Sequence, residues 1–138
     1  MTTILIMGLP GSGKSTLAKT IKAKLEDNNK SVNWYNADEI RKEMNDWDFS
    51  YTGRLRQTYR MKKLAKNHTD GFTIIDMVAP LPEFRKEINA DIIIWVNTIE
   101  EGRFEDTNKM FINPEHYDFR VTSKNADDWS NLIISTLC

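Results

Sequence analysis

Short apolar runs alternate along the chain with longer stretches in which apolar residues recur every fourth position. Residues 4–7 and 92–96 are two such runs, and continuous apolar segments of this length are typical of strands buried on both faces of a sheet. Leu17, Ile21 and Leu25 form one apolar stripe, which predicts an amphipathic helix. Alternating strands and helices predict an α/β fold in which helices cover both faces of a parallel sheet.

The pattern assigns most of the chain to regular elements. We predict strands at 3–7, 31–36, 72–77, 91–96 and 118–122, and helices at 14–27, 37–44, 54–68, 82–89, from near Thr98, and 126–137. In the helix 54–68 we expect Leu55, Tyr59, Leu64 and Ala65 to face the core. Residues 45–51 are rich in aromatic side chains and predict a loop. With 138 residues and no repeats or linkers, the chain predicts a single domain, 1–138.

Composition and charge narrow the class of protein. The formal net charge is −1, whereas general nucleic-acid binders carry a clear positive excess, so no stable nucleic-acid partner is expected. The lone cysteine, Cys138, allows no internal disulfide. No apolar stretch is long enough to cross a bilayer, and the N-terminal run is too short for a signal peptide. We therefore expect a cytoplasmic protein without a membrane partner; its oligomeric state, a homodimer included, stays open.

Residues 8–15 read GLPGSGKS and follow a predicted strand, which fits the phosphate-binding pattern G-x-x-x-x-G-K-[ST]. The glycines let successive backbone N–H groups converge on a polyphosphate, and the following helix adds its N-terminal amides. Lys14 would reach the β- and γ-phosphates, and the Ser15 hydroxyl would bind Mg²⁺. The predicted ligands are a nucleoside triphosphate and Mg²⁺, and the predicted nucleotide-binding residues are Gly8, Gly11, Ser12, Gly13, Lys14, Ser15 and Thr16.

Charged residues follow two other predicted strands, where the active groups of a parallel α/β fold collect. Asp38 and Arg41 are three positions apart at a helix start, so both would face one cleft. Asp38 would orient an attacking hydroxyl or accept its proton, and Arg41 would hold an anionic acceptor. Asp76, at the end of the third strand, would hold Mg²⁺. The structural alternatives are an N-cap for Asp38, a solvated charge for Arg41, and a strand-end cap or salt bridge for Asp76.

Two further residues point towards the same cleft. Phe49 lies in a polar loop, where it would either stack on a base or anchor the core. Arg54, at the start of the next helix, is the best candidate for anion contact among the many basic residues there. His68 and His116 lack the spacing of metal ligands.

Taken in order, these motifs resemble the adenylylsulfate (APS) kinase family, which phosphorylates the 3′-hydroxyl of adenosine 5′-phosphosulfate with ATP. The family pattern G-L-S-G-S-G-K-[ST]-T is matched by residues 8–16, D-G-D-N-x-R by 36–41, D-L-G-F-S by 46–50, and I-S-P by 78–80. The resemblance implies a P-loop kinase fold. It also implies acceptor contacts from Asp38, Arg41, Phe49, Arg54, Gln57, Arg85 and Lys109, with Phe49 stacked on adenine.

The chain departs from that pattern at several positions. Ala79 replaces the family's Ser, and Gly53 replaces the Asp before Arg54. Residues 105–111 are only loosely similar to R-D-P-K-G-L-Y, although Lys109 aligns, and the basic lid that should follow is mostly missing. A short lid would exclude water less well and supply fewer cations to the transferring phosphoryl group.

Three functions are compatible with these observations. The first is a small-molecule kinase similar to APS kinase. The second is a polynucleotide 5′-hydroxyl kinase, because that class also pairs a P-loop with D-x-x-R after the second strand. The third is a nucleotide-binding module without transferase activity. A GTPase is disfavoured because residues 97–100 read NTIE where N-K-x-D would be needed.

Overall fold

A computed structural model describes residues 1–68, 70–102 and 105–137. Five strands form one parallel sheet in the order β2-β3-β1-β4-β5. The strands are β1 (Thr2–Met7), β2 (Val32–Asn36), β3 (Phe72–Asp76), β4 (Ile92–Val96) and β5 (Phe119–Val121). The helices are α1 (Lys14–Asp27), α2 (Ala37–Met44), α3 (Tyr51–Lys66), α4 (Pro82–Ile88), α5 (Glu105–Met110) and α6 (Ala126–Leu137). The predicted five-stranded parallel sheet is confirmed.

The two faces of the sheet carry separate hydrophobic cores, because successive strand residues point to opposite sides. Ile4 and Ile6 of β1 belong to a core that includes α1 and α6, whereas Leu5 and Met7 belong to a second core that includes Met61 of α3 and residues of α4. All four β1 side chains are completely buried. Burial on both faces explains why the strands read as uninterrupted apolar runs.

Helix α3 differs from the prediction in both its start and its orientation. It begins at Tyr51 because the Ser50 hydroxyl caps it, accepting a hydrogen bond from the Gly53 N–H at 3.2 Å. Tyr59, expected in the core, is 51% exposed. The buried face instead carries Gly53, Arg54, Gln57, Thr58, Met61 and Ala65. The first turns of that face carry polar residues, so the spacing of apolar residues does not indicate which face of α3 is buried.

The helix expected from Thr98 is also wrong, because residues 97–102 contain no helix and α5 begins at Glu105. The Thr98 hydroxyl donates a hydrogen bond to the Ser12 carbonyl oxygen at 2.6 Å, which ties this segment to the loop after β1. No helix in the described ranges combines the length and the apolar character that a membrane span requires.

Candidate active site

The loop between β1 and α1 has the backbone that a polyphosphate requires. Gly13, at the N-cap of α1, has a φ of 103°, which a residue with a side chain rarely adopts. Gly8 packs so closely on β4 that a Cβ there would lie 2.4 Å from the Val96 carbonyl oxygen. Lys14 is buried, and its Nζ donates to the Leu9 carbonyl oxygen at 2.9 Å, so its ammonium group lies over the loop.

Three polar side chains meet where β1, β2 and β3 end. The Ser15 hydroxyl donates to Asp76 Oδ2 at 2.9 Å, and Asn36 Nδ2 donates to the same oxygen and to Ser15 Oγ, each at 2.8 Å. Strand register creates this contact, because Asn36 and Asp76 are paired residues of β2 and β3. Asn36 was not identified as a site residue from the sequence, in which it appears only as the residue before a helix.

Burial raises the pKa of Asp76, and the nearby Lys14 ammonium and the hydrogen bonds from Asn36 and Ser15 partly oppose that rise. A cation beside Asp76 would stabilise its ionised form. The hydroxyl and carboxylate oxygens of Ser15 and Asp76 are ligands that suit Mg²⁺. No group of three or more His, Cys, Asp or Glu in the described ranges could hold a metal alone. The residues therefore fit an ion that takes its other ligands from nucleotide phosphates and water.

Asp38 does not cap α2. The cap is Asn36, whose Oδ1 accepts a hydrogen bond from the Glu39 N–H at 3.1 Å. The alternative of an N-cap role for Asp38 is therefore wrong. Its exposed side chain lines the same cleft as Lys14 and Ser15.

Arg41 is buried rather than solvated, with only 4% of its surface exposed. Its Nη1 donates to the carbonyl oxygens of Asp46 and Asp48 at 3.0 and 3.2 Å, and its guanidinium carbon lies 4.4 Å from the centre of the Phe49 ring. Burial lowers the pKa of Arg41, although the carboxylate of Asp46 partly offsets this. A guanidinium group so placed supports the loop of residues 45–50, here called the aromatic loop, and presents positive charge to the cleft.

Arg54 approaches Phe49 from α3. Its Nε donates to the Phe49 carbonyl oxygen at 2.9 Å, its Nη2 donates to Thr107 Oγ1 at 2.8 Å, and its guanidinium carbon lies 5.3 Å from the Phe49 ring centre. Phe49 itself is 46% exposed, so it is not a core anchor. Gln57 donates from Nε2 to the Ala37 carbonyl oxygen at 2.9 Å, which joins α3 to the start of α2.

One cleft of about 810 Å³ joins these groups. Its wall includes the predicted site residues Gly11, Gly13, Lys14, Ser15, Thr16, Asp38, Arg41, Phe49, Arg54, Gln57 and Asp76. The wall also includes residues that the sequence did not suggest, among them Asn36, Trp47 and Lys124. Lys124 follows β5, and its Nζ donates to the Gly11 carbonyl oxygen at 3.0 Å. Gly8 and Ser12 belong to the phosphate loop but are buried, and they do not form part of the wall.

Arg85 and Lys109 do not line this cleft. Arg85 is buried and donates to the carbonyl oxygens of Ala79, Pro80 and Ile112, and burial lowers its pKa to about 10. In this arrangement it supports the segment after β3. Lys109 is on the surface, 74% exposed, with its Nζ 3.2 Å from Glu105 Oε1. The acceptor contacts expected from both residues stay predictions.

Comparisons with known proteins bear on the family and the fold of the chain. The model of the family described as adenylylsulphate kinase matches residues 1–101. No match is found among curated protein sequences. The APS kinase of Mycobacterium tuberculosis, solved with AMPPNP and APS, is 22% identical with a TM-score of 0.82, and the alignment covers 99% of this chain and 96% of that one.

Two other solved structures show how widely the fold is shared. The hexameric APS kinase of Thiobacillus denitrificans is 24% identical with a TM-score of 0.76, and the alignment covers 99% of this chain and 28% of that one. The shikimate kinase of Acinetobacter baumannii, in complex with shikimate, is 14% identical with a TM-score of 0.67, and the alignment covers 99% of this chain and 93% of that one. Likenesses at these identities show the fold alone, whereas the family model covers most of the sequence. The chain belongs to the adenylylsulphate kinase family and has the P-loop kinase fold.

Proposed function

We propose that the protein transfers the γ-phosphoryl group of ATP to the 3′-hydroxyl of adenosine 5′-phosphosulfate. One observation carries the proposal. A single cleft joins the phosphate loop and Asp76 to a wall that contains Asp38, Arg41 and Phe49. A phosphoryl donor and a nucleotide acceptor would thus be held against each other, which supplies much of the catalysis in phosphoryl transfer.

The donor half of the cleft is built by the start of α1. The backbone amides of residues 11–15, together with Lys14, would surround the β- and γ-phosphates. Ser15 and Asp76 would hold Mg²⁺, which when bound neutralises charge that develops on the phosphate oxygens. Asn36 fixes the positions of both side chains through its two hydrogen bonds.

The acceptor half is formed by residues of α2, of α3 and of the loop between these helices. Arg41 and Arg54 would attract the phosphosulfate anion, and Phe49 would stack on adenine. The 3′-hydroxyl oxygen attacks the γ-phosphorus, and the bond from that phosphorus to the β–γ bridging oxygen breaks, so that ADP leaves. Asp38 orients the hydroxyl and receives its proton.

The proposal is tested by measuring ADP release with ATP and Mg²⁺, with and without adenosine 5′-phosphosulfate. We expect the acceptor to stimulate turnover and Asp38→Asn to abolish that stimulation. Glu39→Gln is the matched control, because this neighbouring carboxylate is exposed and lies outside the cleft wall; it should behave as the native protein.

Other outcomes separate the alternatives. If turnover rises only with a 5′-hydroxyl oligonucleotide, the acceptor is a polynucleotide and not adenosine 5′-phosphosulfate. Binding of ATP without turnover on any acceptor would leave a nucleotide-binding module and contradict the proposal.

A further inference from the structure

Thr98, in the segment after β4, contacts the phosphate loop from outside the cleft. Its hydroxyl donates a hydrogen bond to the Ser12 carbonyl oxygen at 2.6 Å. Neither Thr98 nor Ser12 lines the cleft, whereas Gly13, the next residue of the loop, does. Thr98 therefore holds the phosphate loop from the side that faces away from the cleft.

This contact fixes the peptide that joins Ser12 to Gly13. In a planar trans peptide, the carbonyl oxygen of one residue and the N–H of the next point in opposite directions. Because the Ser12 carbonyl is turned towards Thr98, the Gly13 N–H points towards the cleft. Gly13 is the N-cap of α1, so its amide belongs to the set of amides that would surround the phosphates.

The Ser12 side chain does not fix this peptide. Ser12 is 1% exposed, and among the described residues its hydroxyl has no hydrogen-bond partner. The Ser12 N–H donates to the Leu9 carbonyl oxygen at 3.2 Å, which orients the preceding peptide and not the one that leads to Gly13. Since Gly13 has no side chain to restrict its backbone, the hydrogen bond from Thr98 is what sets the orientation of the Gly13 amide.

The segment that carries Thr98 is itself held in place. The Asn97 N–H donates to a carbonyl oxygen of β5 at 2.8 Å. The Gly102 backbone exchanges two hydrogen bonds with the Asn108 side chain, at 2.7 and 3.1 Å. A Cβ on Gly102 would lie 3.1 Å from Pro10, so this end of the segment also packs on the phosphate loop. A hydrogen-bond donor on a fixed segment can orient the loop before any ligand binds.

We propose that Thr98 is a positioning residue for the phosphoryl donor, and that it acts by turning the Gly13 amide towards the phosphates. The inference rests on the proposed function for ATP as the donor, but it is independent of the acceptor. Amides that are oriented in advance bind an anion without first having to reorganise. Loss of the Thr98 hydroxyl should therefore weaken every ligand that the loop binds through its phosphates, whether or not the ligand carries a base.

Binding provides the first test. Native protein and variants are titrated by calorimetry with AMPPNP and with inorganic tripolyphosphate, each in the presence of Mg²⁺. Thr98→Val keeps the shape of the side chain and loses the donor, so the Kd for both ligands should rise by about fivefold. Thr98→Ser keeps the hydroxyl and should stay within about twofold of the native Kd.

Thr136→Val is the matched control for these titrations. The Thr136 hydroxyl also donates to a backbone carbonyl oxygen, that of Leu132 in α6, at 3.3 Å, but Thr136 lies outside the cleft wall. This variant should bind both ligands as the native protein does. Thr98→Ala, which also removes the hydroxyl, repeats the test if Thr98→Val does not fold.

The amide resonance of Gly13 provides a second readout, which a merely structural role of Thr98 would not change. In the native protein, tripolyphosphate should shift the Gly13 amide proton, and the shift at saturation should be smaller in Thr98→Val. A purely structural role would lower the free energy of unfolding and leave the Kd values and this shift unchanged. A Kd in Thr98→Val within about twofold of the native value, or a Thr98→Ser variant as weak as Thr98→Val, would overturn the proposal.

The two proposals fail in different ways. If Thr98→Val binds tripolyphosphate more weakly but adenosine 5′-phosphosulfate is not phosphorylated by the native protein, the proposed function fails and the role of Thr98 stands. If adenosine 5′-phosphosulfate is phosphorylated but Thr98→Val binds both ligands as the native protein does, the function stands and the role of Thr98 is wrong. If the native protein binds neither AMPPNP nor tripolyphosphate, both proposals are wrong.

Discussion

The start of α3 leaves no room for a side chain between Gly53 and Asp48: a Cβ on Gly53 would lie 2.2 Å from the Asp48 carbonyl oxygen and 2.5 Å from its Cγ. The family pattern has Gly and Asp at these two positions, in the opposite order. In this chain Asp48 occupies the space that a side chain on residue 53 would need, so an aspartate at position 48 and a glycine at position 53 fit each other. The departure at Gly53 noted from the sequence therefore fits the close approach of Asp48, and the aromatic loop packs directly on α3.

Gly53→Ala should disturb that loop. Ala is the better helix former, so without the steric contact this change would stabilise α3. Because the nearest atom is backbone, we expect instead a loss of about 1–3 kcal/mol in the free energy of unfolding and a higher acceptor KM. Urea denaturation and steady-state kinetics measure both, with Thr52→Ala as the control in the same turn. A variant more stable than the native protein would contradict the contact.

Asn36 serves both the α2 cap and the contact between Ser15 and Asp76, and two substitutions separate these roles. Asn36→Ala should lower the free energy of unfolding by about 1 kcal/mol through loss of the cap. Asn36→Ser keeps a capping oxygen and should retain stability. Both should reduce kcat by about tenfold or more, as is usual when a partner of a metal ligand is removed. Native-like turnover in Asn36→Ser would mean that the cap is its only role.

Asp76 should make stability depend on pH. Burial raises its pKa in the folded state above the ordinary value of 3.8, so the folded protein binds the proton more tightly than the unfolded chain. The free energy of unfolding should therefore fall as the pH rises from about 3.8 through the folded pKa. Asp76→Asn should remove this dependence, raising stability at pH 7 while abolishing turnover.

The measurement is chemical denaturation of native protein and Asp76→Asn at pH 4 and pH 7, with the exposed Asp70→Asn as control. The difference between native protein and Asp76→Asn should be larger at pH 7. Addition of Mg²⁺ and ATP should reduce this difference in stability, because the ligands should stabilise the native protein more than Asp76→Asn. Equal stabilities at both values would show that burial does not affect the ionisation of Asp76.

Thr107 positions Arg54 through the 2.8 Å hydrogen bond to Nη2. Thr107→Val keeps the shape of the side chain and removes the acceptor oxygen. A hydrogen bond to a charged group contributes about 1.5–3 kcal/mol, so the acceptor KM should rise by about tenfold. The KM for ATP should not change. Steady-state kinetics against both substrates provide the test, with the exposed Thr122→Val as control; parallel increases in both KM values would point to a general structural effect.

Substitution of Arg85 tests whether this residue has a structural role or contacts the acceptor. Its guanidinium group satisfies carbonyl oxygens of Ala79, Pro80 and Ile112. Arg85→Gln should therefore lower the free energy of unfolding by about 2 kcal/mol or more, because buried acceptors lose their partners. With the structural role alone, acceptor KM at a temperature where the variant is folded should stay near native. A rise in the acceptor KM without a rise in the KM for ATP would instead support the acceptor contact that the family resemblance implies.

The phosphate loop, most of the strands and the sheet type could be predicted from the sequence, because each depends on neighbouring residues. A phosphate loop functions through consecutive backbone amides, so residues 8–16 carry nearly all the information that it needs. A strand buried on both faces is apolar throughout, so β1 and β4 appear in the sequence as continuous apolar segments. The ordered motifs around Asp38, Phe49 and Arg54 were sufficient to indicate the family, which the match over residues 1–101 confirms.

Tertiary structure decided the contacts between segments that are distant in the chain. Strand register brings Asn36 to Asp76, and no local pattern contains that pairing. In α3, Tyr59 faces outward and Gln57 faces inward. The sequence did not predict this orientation, because polar residues that face the cleft replace the apolar stripe that normally indicates the buried face of a helix. The fit between Gly53 and Asp48 has the same origin, since it depends on a backbone approach that exists only once the loop packs on the helix.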